Sequence, residues 1–368
     1  MTRRELNLAI FERTTDKVLW QPRLEEWIFR NKANNALPDR FKNLEYLEIY
    51  DELRCSVRYA AHAGIESYLE PNDIEVKQER RGDHLFSTVK TPSGEITTVY
   101  HEIYDGEKLV NCRIDDFPVK TPADVKVLID LVERTQFRSN VAVFNEADQR
   151  VGPRGAATVF VGSAGFTELI KNHCGLLDTF YLLADYPESI EEFLEVCDRR
   201  DDRAVDAALE LPCRIFNLGD HATDEFTPPP IAKKYMIPRW QRLSKRFHDN
   251  GRFVHSHWDG HSKTILPLLM ESGLDSVEAL TPQPMGNISL EEIKAAVGDK
   301  LVVLDLLPAI HFLPSYSTQE VLDFTKKVID MFAPRLILGV SDEISSVGQI
   351  EKIEAVTNLV EEICGLPD

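Results

Sequence analysis

The chain has 368 residues, of which 43% are hydrophobic, and a formal net charge of −19 at pH 7. This charge disfavours a nucleic-acid partner, since phosphate contacts require clustered Lys and Arg, and it leaves room for a protein partner of complementary charge. The length suits two domains or one large α/β barrel, and no apolar run approaches the roughly 18 residues of a membrane-spanning helix.

The N-terminal stretch and the pattern of cysteines predict the cellular compartment of the protein. The opening stretch MTRRELNLAIFERTTDK becomes amphipathic and charged after its two arginines, which predicts a surface helix and not a signal peptide. The cysteines are scattered without a CxxC pair, at Cys55, Cys112, Cys174, Cys197, Cys213 and Cys364. In a chain of this length they are typical of reduced thiols. We therefore expect a cytoplasmic protein whose cysteines are not paired metal ligands.

The first half of the chain contains two predicted β regions. KVLWQP (17–22) is a candidate early strand. Residues 74–103 alternate polar and apolar side chains around turns at Gly82–Asp83 and Ser93–Gly94. This alternation predicts an antiparallel insertion of about three strands.

From about residue 156 a unit repeats that consists of an apolar run, a polar turn and an amphipathic stretch. Runs of four to seven apolar or β-branched residues are typical of strands buried on both faces. They occur at 157–162, 213–219, 252–257, 275–280, 301–307 and 335–340.

Helix signals lie between these runs. Ser289 and Glu292 form a predicted capping box, as do Ser317 and Glu320, and a long helix is predicted over 187–210. Six alternations of strand and helix predict a parallel sheet, whose commonest closed form is a (β/α)₈ TIM barrel. We expect one barrel domain over residues 1–368 with the β-meander inserted at about 74–103.

The stretch FVHSHWDGH (253–261) indicates a metal site. His255 and His257 are two apart at the end of a predicted strand, so both side chains point to one face. Glu278 follows after the length of one helix and a return strand, which places it at the adjacent strand end. Two imidazoles and a carboxylate suit Zn²⁺ with a position left for substrate. The alternative is that one histidine packs, the other bonds a carbonyl, and Glu278 pairs with an arginine or caps a helix.

Other candidates follow the predicted strands, because the carboxyl ends of barrel strands form the active-site mouth. Asp220 and His221 are candidate catalytic residues, and Trp258 could stack on an aromatic substrate or pack beside the barrel. The last strand is followed by three candidate substrate-binding residues, Ser341, Asp342 and Glu343. Solvated carboxylates are also common in turns.

Several familiar motifs are missing from the sequence. It has no GxGxxG after a strand, no GxxxxGKS/T, no GxSxG and no HExxH. Nucleotide-phosphate binding and serine-hydrolase chemistry therefore lack support.

The chain resembles the uroporphyrinogen decarboxylase superfamily over essentially its whole length. The resemblance lies in RRELNLAIFERTTDKVLWQP, FVHSHWDGHSKTILPLLMESGLDSVEALTPQP, SLEEIKAAVGDKLVVLDLL and LILGVSDEI. It implies a (β/α)₈ barrel. The true decarboxylases carry an arginine-rich segment after the first strand to hold carboxylates. The equivalent WQPRLEEWIF has Arg23 followed by Glu25 and Glu26, which counts against porphyrinogen decarboxylation.

The other branch contains zinc methyltransferases that serve corrinoid proteins, and it is similar to the methyl-transfer barrel of cobalamin-independent methionine synthase. The resemblance implies that His255 and Glu278 are zinc ligands, that His257 replaces a cysteine, and that Ser341 stands near the place of a second cysteine. Harder N and O ligands leave zinc more electrophilic than thiolates do. Such a zinc suits polarisation of an ether oxygen.

The resemblance therefore implies a component of an anaerobic O-demethylase. We expect methyl transfer from a methoxylated aromatic, or a similar donor, to a corrinoid protein, with cobalamin carried by that partner because no DxHxxG motif is present. Two alternatives stay open. One is a metal-free decarboxylase-like enzyme in which Asp220 and the histidines handle protons. The other is a barrel that binds a tetrapyrrole or a partner without turnover.

Overall fold

The computed structural model describes residues 1–59, 64–106 and 108–365. In chain order its strands are β1 (Leu19–Trp20), β2 (Ile65–Leu69), β3 (Glu75–Arg81), β4 (His84–Thr91), β5 (Gly94–Asp105), β6 (Lys108–Asp116), β7 (Thr135–Ser139), β8 (Thr158–Gly162), β9 (Ile215–Leu218), β10 (Phe253–His257), β11 (Ser276–Glu278), β12 (Val302–Pro308) and β13 (Leu336–Ser341).

The helices, also in chain order, are α1 (Arg3–Glu12), α2 (Glu25–Ala33), α3 (Tyr46–Glu52), α4 (Pro122–Arg134), α5 (Val141–Val151), α6 (Gly165–Glu168), α7 (Leu176–Asp185), α8 (Pro187–Leu209), α9 (Pro229–Ile231), α10 (Ile237–Asp249), α11 (Leu290–Val297), α12 (Thr318–Phe332) and α13 (Ile350–Cys364). Short 3₁₀ or π turns occupy Asp39–Phe41, Gly152–Arg154, Leu169–His173, Ala232–Met236, Leu266–Glu271 and Ala309–Phe312.

The chain divides into two compact units. The first comprises Met1–Gly64, Asn140–Val161 and Leu209–Asp368, and the second comprises Ile65–Ser139 and Gly162–Ala208. The second unit is thus larger than the insertion predicted at about 74–103. It also takes in the greater part of the long helix α8.

The first unit is built on a parallel sheet, as the repeated apolar runs predicted. Within the described residues the sheet has seven strands in the order β1-β13-β12-β11-β10-β9-β8. Each predicted run from residue 157 onward overlaps one of these strands, and β12 and β13 extend one residue beyond their runs. The predicted capping boxes at Ser289 and Ser317 are also confirmed, because each hydroxyl accepts from the backbone N–H three residues later and the glutamate at that position accepts in return.

The segment Cys55–Tyr59 is hydrogen-bonded to both edges of this sheet. The backbone N–H of Ser56 donates to the carbonyl of Trp20 in β1, at 2.9 Å. On the other side, the N–H of Thr158 in β8 donates to the carbonyl of Arg58, at 3.3 Å, and Tyr59 forms a parallel bridge with Thr158. Backbone contacts therefore lead from β1 through this segment to β8.

The amino ends of the strands are covered by α1. Leu6, Ile10 and Phe11 of this helix belong to one buried cluster together with side chains from the starts of β1, β9, β12 and β13, namely Leu19, Ile215, Val302, Leu304 and Ile337. Apolar packing at this end leaves the carboxyl ends of the strands for polar side chains.

The second unit contains two antiparallel sheets among the residues that are described. One pairs β2 with β7, and the other has the order β3-β4-β5-β6. The sequence predicted about three strands here and a turn at Ser93–Gly94. The turn residues are instead Pro92 and Ser93, because Thr91 pairs with Gly94. An apolar cluster between α4, α7 and α8 forms the core of this unit, with Val125, Leu128 and Phe193 at under 2% exposure.

The described residues were also searched for a helix able to cross a membrane. None of their helices combines the necessary length with the necessary apolar character.

Candidate metal centre at the strand ends

The register of β10 and β11 brings the predicted ligands together. His257 is the direct partner of Glu278, and His255 is flanked by Ser276 of β11 and Asn217 of β9. Because neighbours in register share a face of a sheet, these side chains lie on the same side as the two imidazoles. The connection before Glu278 contains the 3₁₀ turn Leu266–Glu271 in place of the predicted α-helix.

Glu278 is fully buried and accepts hydrogen bonds on both carboxylate oxygens. Its Oε1 lies 2.7 Å from Asn217 Nδ2 and 2.9 Å from His257 Nδ1. Its Oε2 accepts from the hydroxyl of Tyr59 at 2.5 Å and from the guanidinium of Arg58 at 3.1 Å. Four donors and an adjacent positive charge therefore already stabilise this carboxylate.

A second buried carboxylate holds Arg58 in place. Asp305 accepts from both terminal nitrogens of this arginine, at 2.6 and 3.0 Å, and also from the backbone N–H of Ala279 at 3.0 Å. Arg58 also donates to Gln21 through Nε. The guanidinium therefore joins Glu278 to Asp305 beneath the strand ends.

His257 points its other ring nitrogen toward a different carboxylate. Its Nε2 lies 3.9 Å from Oδ1 of Asp259, and the same oxygen lies 3.0 Å from Nδ1 of His221. The rings of His221 and His257 are nearly parallel, at 13°, with centroids 5.8 Å apart. One ligand atom from each of the three residues lies within 4.8 Å of the others. This spacing suits a single metal ion.

His255 has no hydrogen-bond partner on either ring nitrogen among the residues that the structure describes, although it is fully buried. Its Nδ1 lies 3.6 Å from Oε2 of Glu278, which is too long for a hydrogen bond. Burial lowers the pKa of His255 to about 4, so its imidazole is neutral. A buried neutral imidazole without a partner has the chemistry of a metal ligand or of a group that bonds a bound molecule.

The charges around His257 reinforce one another. Burial lowers the pKa of His257, but the nearby carboxylates of Asp259 and Glu278 outweigh it and raise this pKa to about 10. Burial opposes ionisation of both acids, yet the imidazoles of His221 and His257 lower the pKa of Asp259, and the hydrogen bond and charge of His257, together with the charge of Arg58, lower that of Glu278. Two carboxylates therefore stabilise positive charge at this point, whether that charge is a proton or a metal ion.

Backbone strain also concentrates at the strand ends. Left-handed φ values occur just beyond strand ends at His221 (53°), Ala279 (64°) and Asp342 (51°), and also within β12 at Asp305 (81°); none of these residues is glycine. Such conformations persist where the surrounding structure holds them and are frequent at functional sites.

Asp220 is separated from this group. It is fully buried and accepts from Arg239 Nη1 at 2.9 Å, from Trp240 Nε1 at 2.6 Å and from the Ser256 hydroxyl at 2.9 Å. Since Ser256 lies between the two histidines of the strand, it points to the opposite face. The Asp220 side chain therefore anchors α10 behind the sheet. It points away from the side chain of His221, although the two residues are adjacent in sequence.

Trp258 and Ser341 lie in the core and not at an open surface. Trp258 is fully buried with its ring 5.1 Å from that of Trp240, so it packs between β10 and α10 and is unavailable to stack on a substrate. Ser341 is fully buried, and its hydroxyl donates to the carbonyl of Leu280 at 2.7 Å. Of the two roles predicted for Trp258, its position agrees with packing beside the barrel and not with stacking on a substrate.

Asp342 and Glu343 bind an arginine. Arg23 donates to Oδ1 of Asp342 at 2.8 Å and to Oε1 of Glu343 at 2.9 Å. Its guanidinium lies 5.7 Å from the centre of the Tyr59 ring. The two acidic residues therefore neutralise Arg23 next to the residue that hydrogen-bonds Glu278.

Sequence reasoning missed Asp259, Arg58 and Tyr59. Asp259 lies within the HWDGH stretch, two residues after His257. A carboxylate so close to a predicted ligand could have identified it as a candidate ligand. Arg58 and Tyr59 follow a short segment, CSV, that is too brief for a recognisable strand pattern. Their place at the site depends on hydrogen bonds between this segment and both sheet edges.

Tyr59 also lines a cavity of about 270 Å³. Its walls include three aromatic rings and an acid, and its lining residues are Glu25, Phe29, Tyr46, Leu47, Tyr59, Ala147, Arg150 and Val151. One oxygen of Glu25 accepts from Tyr46 at 2.7 Å, and the other is buried and has no hydrogen-bond partner within the described part of the chain. The cavity could hold a small aromatic molecule with one polar group.

Two solved structures are similar to this chain to different degrees. A methyltransferase from Methanosarcina mazei has a TM-score of 0.61 to this chain, with 12% identity and 99% of each chain covered. A B12-independent methionine synthase from Shewanella sp. W3-18-1, in complex with selenomethionine, has a TM-score of 0.45, with 11% identity and coverage of 95% of this chain and 96% of that one. No protein-family model matches the sequence, and no curated protein matches it.

The likeness to the Methanosarcina protein shows that this chain has its fold. The activity has to be proposed from the side chains at the strand ends.

Proposed function

We propose that the chain is a zinc-dependent methyltransferase of the uroporphyrinogen decarboxylase superfamily, built on a closed (β/α)₈ barrel. It would transfer a methyl group from a methoxylated aromatic, or a similar donor, to a corrinoid protein. The fold shared with a methyltransferase supports this class, and the hydrogen bonds of Cys55–Tyr59 to β1 and β8 support closure of the barrel.

The observation that carries the proposal is the group of His221, His257 and Asp259. Two imidazoles and one carboxylate, within 4.8 Å of one another, come from the ends of adjacent parallel strands. Three ligands with a free position are the arrangement of catalytic zinc. When bound, the metal supplies Lewis acidity toward the oxygen of the donor's ether. The set contains no thiolate, which favours oxygen over sulfur as the atom to be polarised.

Glu278 fits the role of an orienting residue better than that of a ligand. Both of its oxygens are already hydrogen-bonded, and Arg58 lies 3.1 Å from one of them. Its bond with His257 Nδ1 fixes the tautomer that leaves Nε2 free for a metal. We therefore revise the ligand set of His255, His257 and Glu278 that was predicted from the sequence. His257 remains a ligand, now with His221 and Asp259, and Glu278 orients the imidazole of His257.

Tyr59 connects the centre to the aromatic cavity. Burial and the charge of Glu278 raise its pKa well above its usual value, so the phenol keeps its proton and donates to that carboxylate. Its ring lines the cavity with Phe29 and Tyr46. Aromatic walls at this position favour a flat aromatic donor.

The arginines favour a methyltransferase over a decarboxylase. Arg23 is paired with Asp342 and Glu343, and Arg58 is paired with Asp305 and Glu278. A polycarboxylate substrate needs cations that are not already neutralised. The proposed methyl donor carries no such requirement.

The deciding experiment combines metal analysis with donor screening. The chain, purified without chelators and supplied with zinc, is expected to hold one equivalent at this centre and to methylate a Co(I) corrinoid protein from methoxylated aromatics. His257→Ala should remove both properties. His261→Ala is the matched control, since His261 follows in the same loop and its exposed side chain bonds the carboxylate of Glu225. Turnover by a zinc-free wild type, or zinc retained in full by His257→Ala, would refute the proposal.

A further inference from the structure

A second group of histidines and aspartates lies in the antiparallel sheet of the second unit. His84 of β4 is the direct cross-strand partner of His101 of β5, and their rings stack at 17° with centroids 5.0 Å apart. Ligand atoms of these two residues and of Asp115 lie within 4.8 Å of one another. A fourth residue, Asp83, contacts both rings, at 2.7 Å from His84 Nδ1 and 3.1 Å from His101 Nε2.

The backbone places each of these side chains separately. Asp83 occupies the two-residue turn between β3 and β4, because Arg81 pairs with His84. Asp115 is the extra residue of a β-bulge in β6, since Val99 pairs with Asp116 while the adjacent Tyr100 pairs with Ile114. A bulge redirects the side chain of its extra residue and is frequent beside functional sites. Here it turns Asp115 toward His84 Nε2, at 3.1 Å.

We propose that His84, His101 and Asp115 form a binding site for a divalent transition-metal ion, with Asp83 orienting the imidazoles. Two imidazole nitrogens and a carboxylate are ligands that Zn²⁺, Ni²⁺ and Cu²⁺ accept. The side chains of His84 and His101 are 33% and 26% exposed, so an ion reaches them directly from solvent. Carboxylates that bond the ring nitrogens fix ring orientation in metal sites.

The metal would cross-link three strands. His84 belongs to β4, His101 to β5 and Asp115 to β6, so one ion would connect the sheet beyond its backbone ladder. An ion that binds the folded state and not the unfolded state stabilises the fold by mass action. The site therefore has a structural effect that can be measured without any assay of activity.

Arg113 competes with the ion. Its guanidinium donates to His101 Nδ1 at 3.2 Å and lies 3.3 Å from Oδ1 of Asp115. The side chain is 63% exposed, so it can leave as the ion binds. Removal of its charge should strengthen metal binding, which is the opposite of the effect of losing a ligand.

The test is a titration of the intact metal-free chain with Cu²⁺, followed by electron paramagnetic resonance, and with Zn²⁺, followed by calorimetry. We expect one equivalent that survives His257→Ala and is lost in the double variant His84→Ala/His101→Ala and in Asp115→Asn. Arg113→Gln should bind this equivalent several-fold more tightly. His248→Ala is the control, since His248 is a surface histidine bonded to Asp275.

The following measurements test the site at His84, His101 and Asp115 independently of the centre at the strand ends. Zn²⁺ should raise the Tm of His257→Ala, which keeps only this site, and should leave that of the double variant His257→Ala/Asp115→Asn unchanged. Circular dichroism checks that the variants are folded. An unchanged number of bound ions in both Asp115→Asn and the double variant, or the loss of all bound metal in His257→Ala, would overturn it.

Discussion

His257 and Glu278 are direct partners across β10 and β11, and His257 Nδ1 lies 2.9 Å from Glu278 Oε1. The bond determines which imidazole nitrogen remains available, because a ring that donates from Nδ1 presents its lone pair at Nε2. Nε2 points toward Asp259. The two acids therefore have different roles, and substitutions can separate them.

Asp259→Asn should abolish zinc binding at the strand ends and the methyl transfer that depends on it. The reason is that Asp259 Oδ1 faces both His221 Nδ1, at 3.0 Å, and His257 Nε2, at 3.9 Å, and so supplies the anionic ligand of the group. Zinc content by atomic absorption, measured on dialysed protein, gives the answer. Asp224→Asn is a control for loss of an acid in the neighbouring loop, where Asp224 bonds Thr264 and Asn287.

Glu278→Gln should weaken zinc binding without abolishing it. Loss of an orienting carboxylate costs about 10- to 100-fold in metal affinity, whereas loss of a ligand removes the site. Competition with a chromophoric chelator measures the affinity. If Glu278→Gln loses its zinc entirely while Asp259→Asn keeps it, the ligand set of His255, His257 and Glu278 predicted from the sequence is the correct one.

Arg58→Met should lower the free energy of unfolding by about 3–5 kcal/mol, the cost of leaving a buried charge without its partner. Arg58 is 3% exposed, and both Asp305 and Glu278 depend on it. Urea unfolding followed by circular dichroism measures the change. Arg40→Ala breaks an exposed pair with Glu354 and should cost less than about 1 kcal/mol. Equal effects of the two substitutions would contradict the buried network.

Stability should fall as the pH falls from about 6.5 to about 4, in part because of His173. Burial lowers the pKa of His173 to about 4 in the folded protein, whereas an unfolded histidine titrates near 6.5. Between these values the unfolded chain binds the additional proton, and each such proton lowers the free energy of unfolding by about 1.4 kcal/mol per pH unit.

Urea unfolding between pH 7 and pH 4 measures the contribution of His173 to the pH dependence of the free energy of unfolding. His173→Asn should give a shallower decline than the wild type. His248→Asn should give a steeper one, because the hydrogen bond to Asp275 raises the pKa of His248 and thus favours the folded state at low pH. Parallel curves for wild type and His173→Asn would show that this histidine is not buried neutral.

Trp258→Ala should cost about 3–5 kcal/mol of stability, as is usual for an aromatic residue removed from a core. The side chain is fully buried against Trp240. A substrate-stacking residue would behave differently, since its loss would raise KM for the donor and leave the unfolding free energy unchanged. Unfolding curves and a donor titration on the same variant distinguish the two roles.

The local pattern of the sequence determined the strands β8 to β13, a few of the helices (α1, α8, α11 and α12) and the shared face of the strand-end histidines. Apolar runs predicted β8 to β13 because strands of a parallel sheet are buried on both faces. The i, i+2 spacing of His255 and His257 predicted a shared face because side chains alternate along a strand. The capping boxes at Ser289 and Ser317 are also local, since their bonds span three residues.

Tertiary structure alone decided which polar groups meet. Asp220 and His221 are adjacent in sequence, yet one anchors α10 behind the sheet and the other lies beside His257. Arg58 reaches Glu278 and Asp305 across more than 200 positions, through a segment too short to show a strand pattern. Such contacts depend on sheet register and on long-range hydrogen bonds, and neither leaves a periodic trace in the sequence.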